Sequence, residues 1–421
     1  MIERDEGNKQ QTTAVIPWLL FLGGVFVKFR LTRSAIAALT FFATIFLAAC
    51  GAPEQAGEAP AEAPKAESEV ETAGGVVPDN NSASDYPEGA ELPVRQIPNI
   101  PEAAEAYYAP DNYHIIAQTQ DPDATPPEER EAGGALTWIF TDDGTKKWRI
   151  GDRGQDACSY FFPDQERVVF TSTRDNMDMP IGNWSNEAEY PQGAELYIAD
   201  LEGNIQQRLT DNEWYEAEVS ISPNGEWIVF GRQIDGKMDL WRMRSDGTDE
   251  EQITFTDDWQ EGAPFYLPDN ETILTRAWKR SEYGKIRPTP MTVFTIKHDG
   301  SERTVRTFDR DMNWAPYPAP DGRHYVFVRI VEDNNWEIFL GDLAGGEPKR
   351  LTYNKTFDGF PSLSPDGTKM LFTRSHGGFM SNLYTYVMDV SSLGIGPDGW
   401  EGSVPAITPP EGAAAEPVAA R

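Results

Sequence analysis

Carboxylates recur along this chain at one fixed distance from a turn. Seven residues before each of six Pro-Asp-type turns stand Ala103, Asp156, Glu216, Glu261, Asn313 and Asp358. The next position is mostly small, with Ala104, Ala157, Ala217, Gly262 and Gly359, broken by Trp314. If the segments that carry them converge on one axis, four carboxylates and one amide form a ring. Like charges held that close raise each other's pKa unless a cation or a basic group joins them. The chemistry of such a ring is the binding of a cation such as calcium, or of a Lys or Arg offered by a partner. A structural account stands beside it: Arg232, Arg276, Arg329 and Arg374 recur in the same copies and can pair with the acids as ion pairs between neighbouring repeats.

No other constellation has catalytic spacing. The chain lacks a Gly-x-Ser-x-Gly elbow, a His-Glu-x-x-His helix and a phosphate-cradling glycine loop, the signatures of common hydrolases, zinc proteases and nucleotide sites. Its histidines, His114, His298, His324 and His376, fall in different repeats without ligand spacing. His114 and His324 share one position, four residues past the turn proline, which favours a structural role. Cys158, in the run Ala157-Cys158-Ser159-Tyr160, reads as a small core residue rather than a nucleophile. No catalytic residue is assigned, and no cofactor is expected beyond a channel cation.

The elements that position these residues follow from the turns. Their prolines, Pro110, Pro163, Pro223, Pro268, Pro320 and Pro365, recur every 45–60 residues, the period of one propeller blade. In Ser364-Pro365-Asp366-Gly367 the proline presets φ, Asp suits the third position and Gly relieves strain at the fourth. After each turn comes an apolar run such as Trp227-Ile228-Val229-Phe230, then a third run such as Leu196-Tyr197-Ile198-Ala199-Asp200. An outer run ends in Arg208-Leu209-Thr210, Gln252-Ile253-Thr254 or Arg350-Leu351-Thr352. Four strands in each of six repeats predict an all-β fold, a six-bladed β-propeller of four-stranded blades. Its innermost strands line the channel and bring the acid column to one mouth. The sixth repeat lacks an obvious outer strand, which either Val404-Pro405-Ala406-Ile407-Thr408 or Val94-Arg95-Gln96-Ile97 supplies; the second would close the ring.

These Ser-Pro-Asp-Gly turns, with their Leu-Tyr-x-x-Asp and Arg-Leu-Thr strands, resemble the TolB-type propeller repeats of bacterial envelope proteins over residues 93–408. The resemblance implies binding to another envelope protein, as TolB binds a peptidoglycan-associated lipoprotein. It extends to the propeller alone and not to the small α/β domain that precedes it in TolB.

The N-terminus carries an address. Lys28, Arg30 and Arg33 precede an apolar stretch from Ala35 to Ala49, which ends in Leu47-Ala48-Ala49-Cys50-Gly51. This resembles a bacterial lipoprotein signal with its lipobox, and the stretch is shorter than the ~20 residues a membrane span needs. The expectation is a signal peptide over 1–49, with Val27 as an alternative translation start, and a mature chain acylated on Cys50, palmitate included. Residues 50–92 are rich in Ala, Glu and Pro and read as a disordered linker, and 409–421 as a disordered tail. Gly51 after Cys50, with no Asp there, resembles the sorting rule for the outer membrane, facing the periplasm.

A formal charge of −32 excludes nucleic-acid or anionic-membrane binding through the domain surface, because phosphate contacts need Lys and Arg. The membrane is reached through lipid instead. Two insertions break the repeat and are candidate binding loops. One runs from Arg174 to Ala194 and holds Trp184 and Tyr190; the other, Trp278 to Pro290, is a basic, aromatic island with Lys279, Arg280 and Tyr283. The leading function is a non-catalytic, membrane-anchored scaffold that binds another envelope protein. The alternatives are a polysaccharide-binding or polysaccharide-degrading propeller, and a cation-dependent structural module.

Overall fold

The computed structural model describes residues 89–119, 135–180, 182–332 and 335–410. Val27, Cys50, most of the linker and the tail from 411 lie outside the described residues. Within them are six four-stranded antiparallel sheets. Blade one holds β2 (Ala103–Tyr108), β3 (His114–Thr119), β4 (Leu136–Thr141) and β5 (Lys147–Arg149). Blade two holds β6 (Asp156–Phe161), β7 (Arg167–Ser172), β8 (Glu195–Asp200) and β9 (Ile205–Arg208). Blade three holds β10 (Tyr215–Ile221), β11 (Trp227–Ile234), β12 (Lys237–Arg244) and β13 (Glu251–Gln252). Blade four holds β14 (Trp259–Tyr266), β15 (Thr272–Lys279), β16 (Met291–Lys297) and β17 (Thr304–Val305). Blade five holds β18 (Trp314–Pro318), β19 (His324–Glu332), β20 (Asn335–Asp342) and β21 (Lys349–Arg350). Blade six holds β22 (Asp358–Leu363), β23 (Lys369–Ser375) and β24 (Leu383–Asp389), with β1 (Val94–Gln96) as its outer strand. The first strands of successive blades neighbour one another in a closed cycle, from β2 through β22 and back to β2.

Each recurring sequence feature has a local reason. In the turns, the Asp or Asn side chain accepts backbone N–H groups two and three residues on: Asp111 Oδ1 from Tyr113 and His114, Asp321 Oδ1 from Arg323 and His324. The fourth turn position is left-handed in every repeat, with Gly225, Gly322 and Gly367 at φ 65–75° and Asn112, Gln165 and Asn270 at φ 59–62°. Blades without the glycine therefore make the same turn, at a cost of about 1–2 kcal/mol. The His column is tied to it: Nδ1 of His114 and of His324 lies 2.6 Å from the turn aspartate of its own repeat. Just past the outer strands of four blades a threonine hydroxyl accepts a third-strand N–H that the short outer strand leaves open. Thr210 serves Leu196, Thr254 serves Leu240, Thr307 serves Val293 and Thr352 serves Ile338, all at 2.8–3.0 Å.

The N-terminal candidate closes the ring. β1 pairs antiparallel with β24, Val94 opposite Met388 and Gln96 opposite Tyr386. The seam between blades six and one is latched at Asp142, which is buried. Arg95 of β1 and Lys369 of β23 each reach its carboxylate at 2.6 Å, and the Tyr108 hydroxyl donates to it at 3.0 Å. Burial opposes ionisation there, but the Lys369 hydrogen bond and the Arg95 charge hold the carboxyl below its usual range. Residues 404–408 run elsewhere: Thr408 N–H donates to the Ala344 carbonyl and Arg306 to that of Pro405.

Candidate functional site

The acid column starts the first strands, yet it does not form an open ring at a mouth. Asp156, Glu216, Glu261, Asn313 and Asp358 are only 0–3% exposed. Glu216 and Asp358 stand directly opposite Arg232 and Arg374 across the first two strands of their blades. Arg232 Nε donates to Glu216 at 2.6 Å, and Arg374 donates twice to Asp358, at 2.7 and 2.9 Å. Arg329 Nε donates to Asn313 Oδ1 at 2.8 Å. Where blade two has Asp156 the opposite residue is Ser172, and Asp156 accepts the Thr137 N–H of blade one. The arginine contacts of blades three, five and six lie within one blade, whereas the Asp156–Thr137 contact crosses from blade two to blade one.

Blade four departs from the pattern. Arg276 stands opposite Gly262, one residue off the column, and a one-residue slip puts a strand side chain on the other face. Arg276 therefore reaches Glu218 at 2.9 Å, and Glu261 takes Arg303 instead, at 3.1 Å.

Besides the Arg276–Glu218 pair, which joins blades four and three, further contacts between blades use a second set of acids, on the third strands. The segment joining blades two and three brings Asn212, whose N–H donates to Glu195 (2.7 Å) and whose amide donates to Glu216 (2.8 Å). At the next joint the Thr254 hydroxyl lies 3.3 Å from both Asp239 and Glu261. Between blades five and six, Asn354 donates to Glu337 (2.7 Å) and Asp358 (3.1 Å). Burial pushes Glu261 up to about 7 and Asp156 to about 6, and moves Glu195, Glu216 and Glu337 upward.

The axis is lined by other residues. Five residues before each turn proline stand Glu105, Cys158, Glu218, Ala263, Ala315 and Phe360, all left-handed at φ 41–54°. At that point every first strand shifts register against its neighbour, a β-bulge repeated six times. Two residues further on, Tyr107, Tyr160, Phe265 and Tyr317 from four blades meet, with ring centroids 4.7–6.1 Å apart and the Tyr160 and Tyr317 hydroxyls at 3.0 Å. The other two blades place Ser220 and Ser362 there, and each donates at 2.6 Å to a carbonyl of the following blade, Pro264 and Ala106. This aromatic layer plugs the channel. Above it Glu218 holds Arg276 and accepts the Ala263 N–H at 2.6 Å. Burial, then the Glu218 charge, pushes Glu105 up to about 7, and the Cys158 thiol beside it is likewise driven up by burial. The aromatic layer was visible in the same alignment, three residues before each proline. The bulge was not, since its six positions share no residue type.

The two insertions meet. Both link a second strand to a third, so strand alternation puts them on one face, with the links between blades. Trp184 donates to Gln155 at 2.7 Å, and Tyr190 stacks on Tyr215 with centroids 4.3 Å apart. Glu187 of the first insertion accepts the Trp278 indole N–H at 2.6 Å, and Tyr283 of the second packs against the same core cluster as Trp184 and Tyr190. Trp278 itself is buried in β15, and Lys279, with its ammonium 5.2 Å from the Trp259 ring, ends that strand. The insertion proper thus begins at Arg280. Between the insertions and blade three lies a cleft of about 600 Å³, whose walls include Glu187, Tyr190, Glu213, Trp214, Asp235 and Arg280. Among the described residues no group of three or more His, Cys, Asp and Glu side chains is arranged to hold a metal ion.

Sheet order, bulges and ring closure define the class: a six-bladed β-propeller of four-stranded blades, and TolB proteins are among its structural neighbours. No family model matches the chain. An uncharacterised protein of Agrobacterium fabrum is 29% identical over 143 residues, 32% of this chain and 47% of that protein; the chain thus spans about half the length of that relative. TolB from Acinetobacter baumannii is 16% identical with a TM-score of 0.48, covering 66% of this chain and 64% of the other. A putative TolB from Agrobacterium tumefaciens is 18% identical with a TM-score of 0.49, covering 70% and 96%. An oligogalacturonate lyase in complex with manganese is 14% identical with a TM-score of 0.45, covering 68% and 77%. The fold assignment rests on the sheet order itself, and the activities named for these proteins are theirs.

Proposed function

We propose that this chain is a membrane-anchored, non-catalytic β-propeller of the bacterial envelope that binds another envelope protein through its insertion-bearing face. One observation carries the reading: the two segments that escape the repeat come together on one face, over a shared core cluster, and both wall one cleft. The acid column, by contrast, is engaged in holding strands and blades together. The lipobox-like Leu47-Ala48-Ala49-Cys50 supports the anchor.

Two experiments test it. Cys50→Ser should move the protein from the membrane fraction to the soluble one and abolish incorporation of labelled palmitate; unchanged membrane retention would contradict the anchor. Photo-crosslinking in the native envelope, from positions 214 and 283 on the insertion-bearing face and from 164 and 269 on the turn face, should join a defined protein from the first pair only. That protein, purified, should bind the isolated propeller. Crosslinks from the turn face alone, or turnover of an envelope polysaccharide by the purified chain, would overturn the reading.

A further inference from the structure

The cleft between the insertions combines an exposed ring, free acids and a rigid frame. Trp214 is 38% exposed, a large apolar surface for so acidic a protein. It is fixed from behind: its N–H donates to Asn212 Oδ1 at 2.7 Å and its carbonyl accepts the Gly193 N–H at 2.6 Å. Asn212 is in turn held by Glu195 and Glu216. The Arg232 guanidinium already sits 5.4 Å from the centre of the Trp214 ring, so the blade itself shows that this indole accepts a cation. The cleft wall adds three carboxylates, Glu187, Glu213 and Asp235, and one cation, Arg280. Glu187 is engaged with Trp278 and faces Arg280, while Glu213 and Asp235 are exposed and have no ion-pair partner among the described residues.

We propose that this cleft receives a lysine or arginine side chain from an extended, basic segment of the partner protein. Glu213 and Asp235 neutralise its charge, and its aliphatic stem lies against the indole of Trp214. The inference rests on the protein-binding reading and names the chemistry of the partner. Charge complementarity selects the occupant: the cleft is acidic on a chain of formal charge −32, and a cation desolvated against an aromatic face and two carboxylates gains from both. The four fixed hydrogen bonds around Asn212 and Trp214 preorganise the ring, so little ordering is left to oppose binding.

The test uses the intact propeller and a capped Gly-Arg-Gly peptide, followed by NMR of the Trp214 indole N–H, which Trp214→Phe assigns. The Arg peptide should shift that signal, whereas the same peptide with neutral citrulline should not. Glu213→Gln with Asp235→Asn should weaken the peptide about tenfold, as should raising salt from about 0.05 to 0.5 M. Both substitutions are exposed and isosteric, so the melting temperature should stay put and report intact folding. Equal shifts with Arg and citrulline, no shift at all, or a shift produced instead by an envelope oligosaccharide would overturn the proposal. If the peptide fails while crosslinks from position 214 still capture a protein, the cationic occupant is wrong and the docking face stands. Crosslinks from the turn face alone would remove the face itself.

Discussion

Glu216 and Arg232 face each other across β10 and β11 with almost no access to water; Arg232 also holds Glu250 at 2.7 and 2.9 Å, whereas Arg232 is the only cation paired with Glu216 among the described residues. Replacing Arg232 by Met should destabilise the propeller by about 3–5 kcal/mol, because it strands a buried acid; urea unfolding measures it, and a change below about 1 kcal/mol would contradict the pairing. The buried acids also set a pH dependence. Glu105 and Glu261 near 7 and Asp156 near 6 keep their protons in the folded chain well above the range where the unfolded chain releases them. The folded state therefore binds more protons between about pH 5 and 8. Its stability is fullest at the acid end of this window and is lost as pH rises through these values. The lowered aspartates, such as Asp142 and Asp321, are ionised throughout the window and add no slope. The melting temperature should thus be higher at pH 5.5 than at pH 8, and a profile that rises with pH would contradict it. At this scale the acid column and its arginines were legible in the sequence. The one-residue offset of Arg276 was legible too, since it lies eight residues past its proline where the other arginines lie nine past theirs; that the other face offers it Glu218 was not.

The repeated bulge is the element on which the channel depends. Six left-handed residues, none of them glycine, turn each first strand so that the side chain there and the one two positions on approach the axis. Such a conformation costs of order 1–3 kcal/mol for each residue. Ala315→Gly should therefore leave stability within about 1 kcal/mol, since relief of strain offsets a freer unfolded chain. Ala315→Val, β-branched where φ is positive, should lose more than about 2 kcal/mol. Equal effects of the two, by denaturant unfolding, would count against a strained bulge. The turns that precede second strands were legible because Pro, Asp and Gly are each demanded by backbone geometry. The bulge was not, because its conformation is imposed by neighbouring strands on Glu, Cys, Ala and Phe alike.

At the scale of the whole molecule, six similar blades make a ring only if the last holds the first, and that duty falls on β1 and Asp142. Asp142→Asn and Lys369→Met should be coupled by about 1–3 kcal/mol in a double-mutant cycle, as expected of contacting charges. Additive losses would show that the seam is held elsewhere. Blade number and period could be read from the prolines, whereas the identity of the closing strand stayed open between two segments until their pairing was seen. The insertions were equally plain as breaks in the repeat. Their meeting over blade three depends on the curvature of the ring, which no spacing records.

The closing strand is also where the chain enters the propeller, and this has a mechanical consequence. A pull on the chain ahead of β1 acts first on Glu91, which is paired with Arg374 of blade six at 2.6 Å, then on the three paired residues of β1 and on the Arg95 contact. Drawn along the strand, the load shears those bonds together; drawn across it, they fail one at a time from Val94. The contacts loaded first are therefore those of blade six and of its seam with blade one. The cleft over blade three stands across the ring from blade six, away from the contacts that take the load.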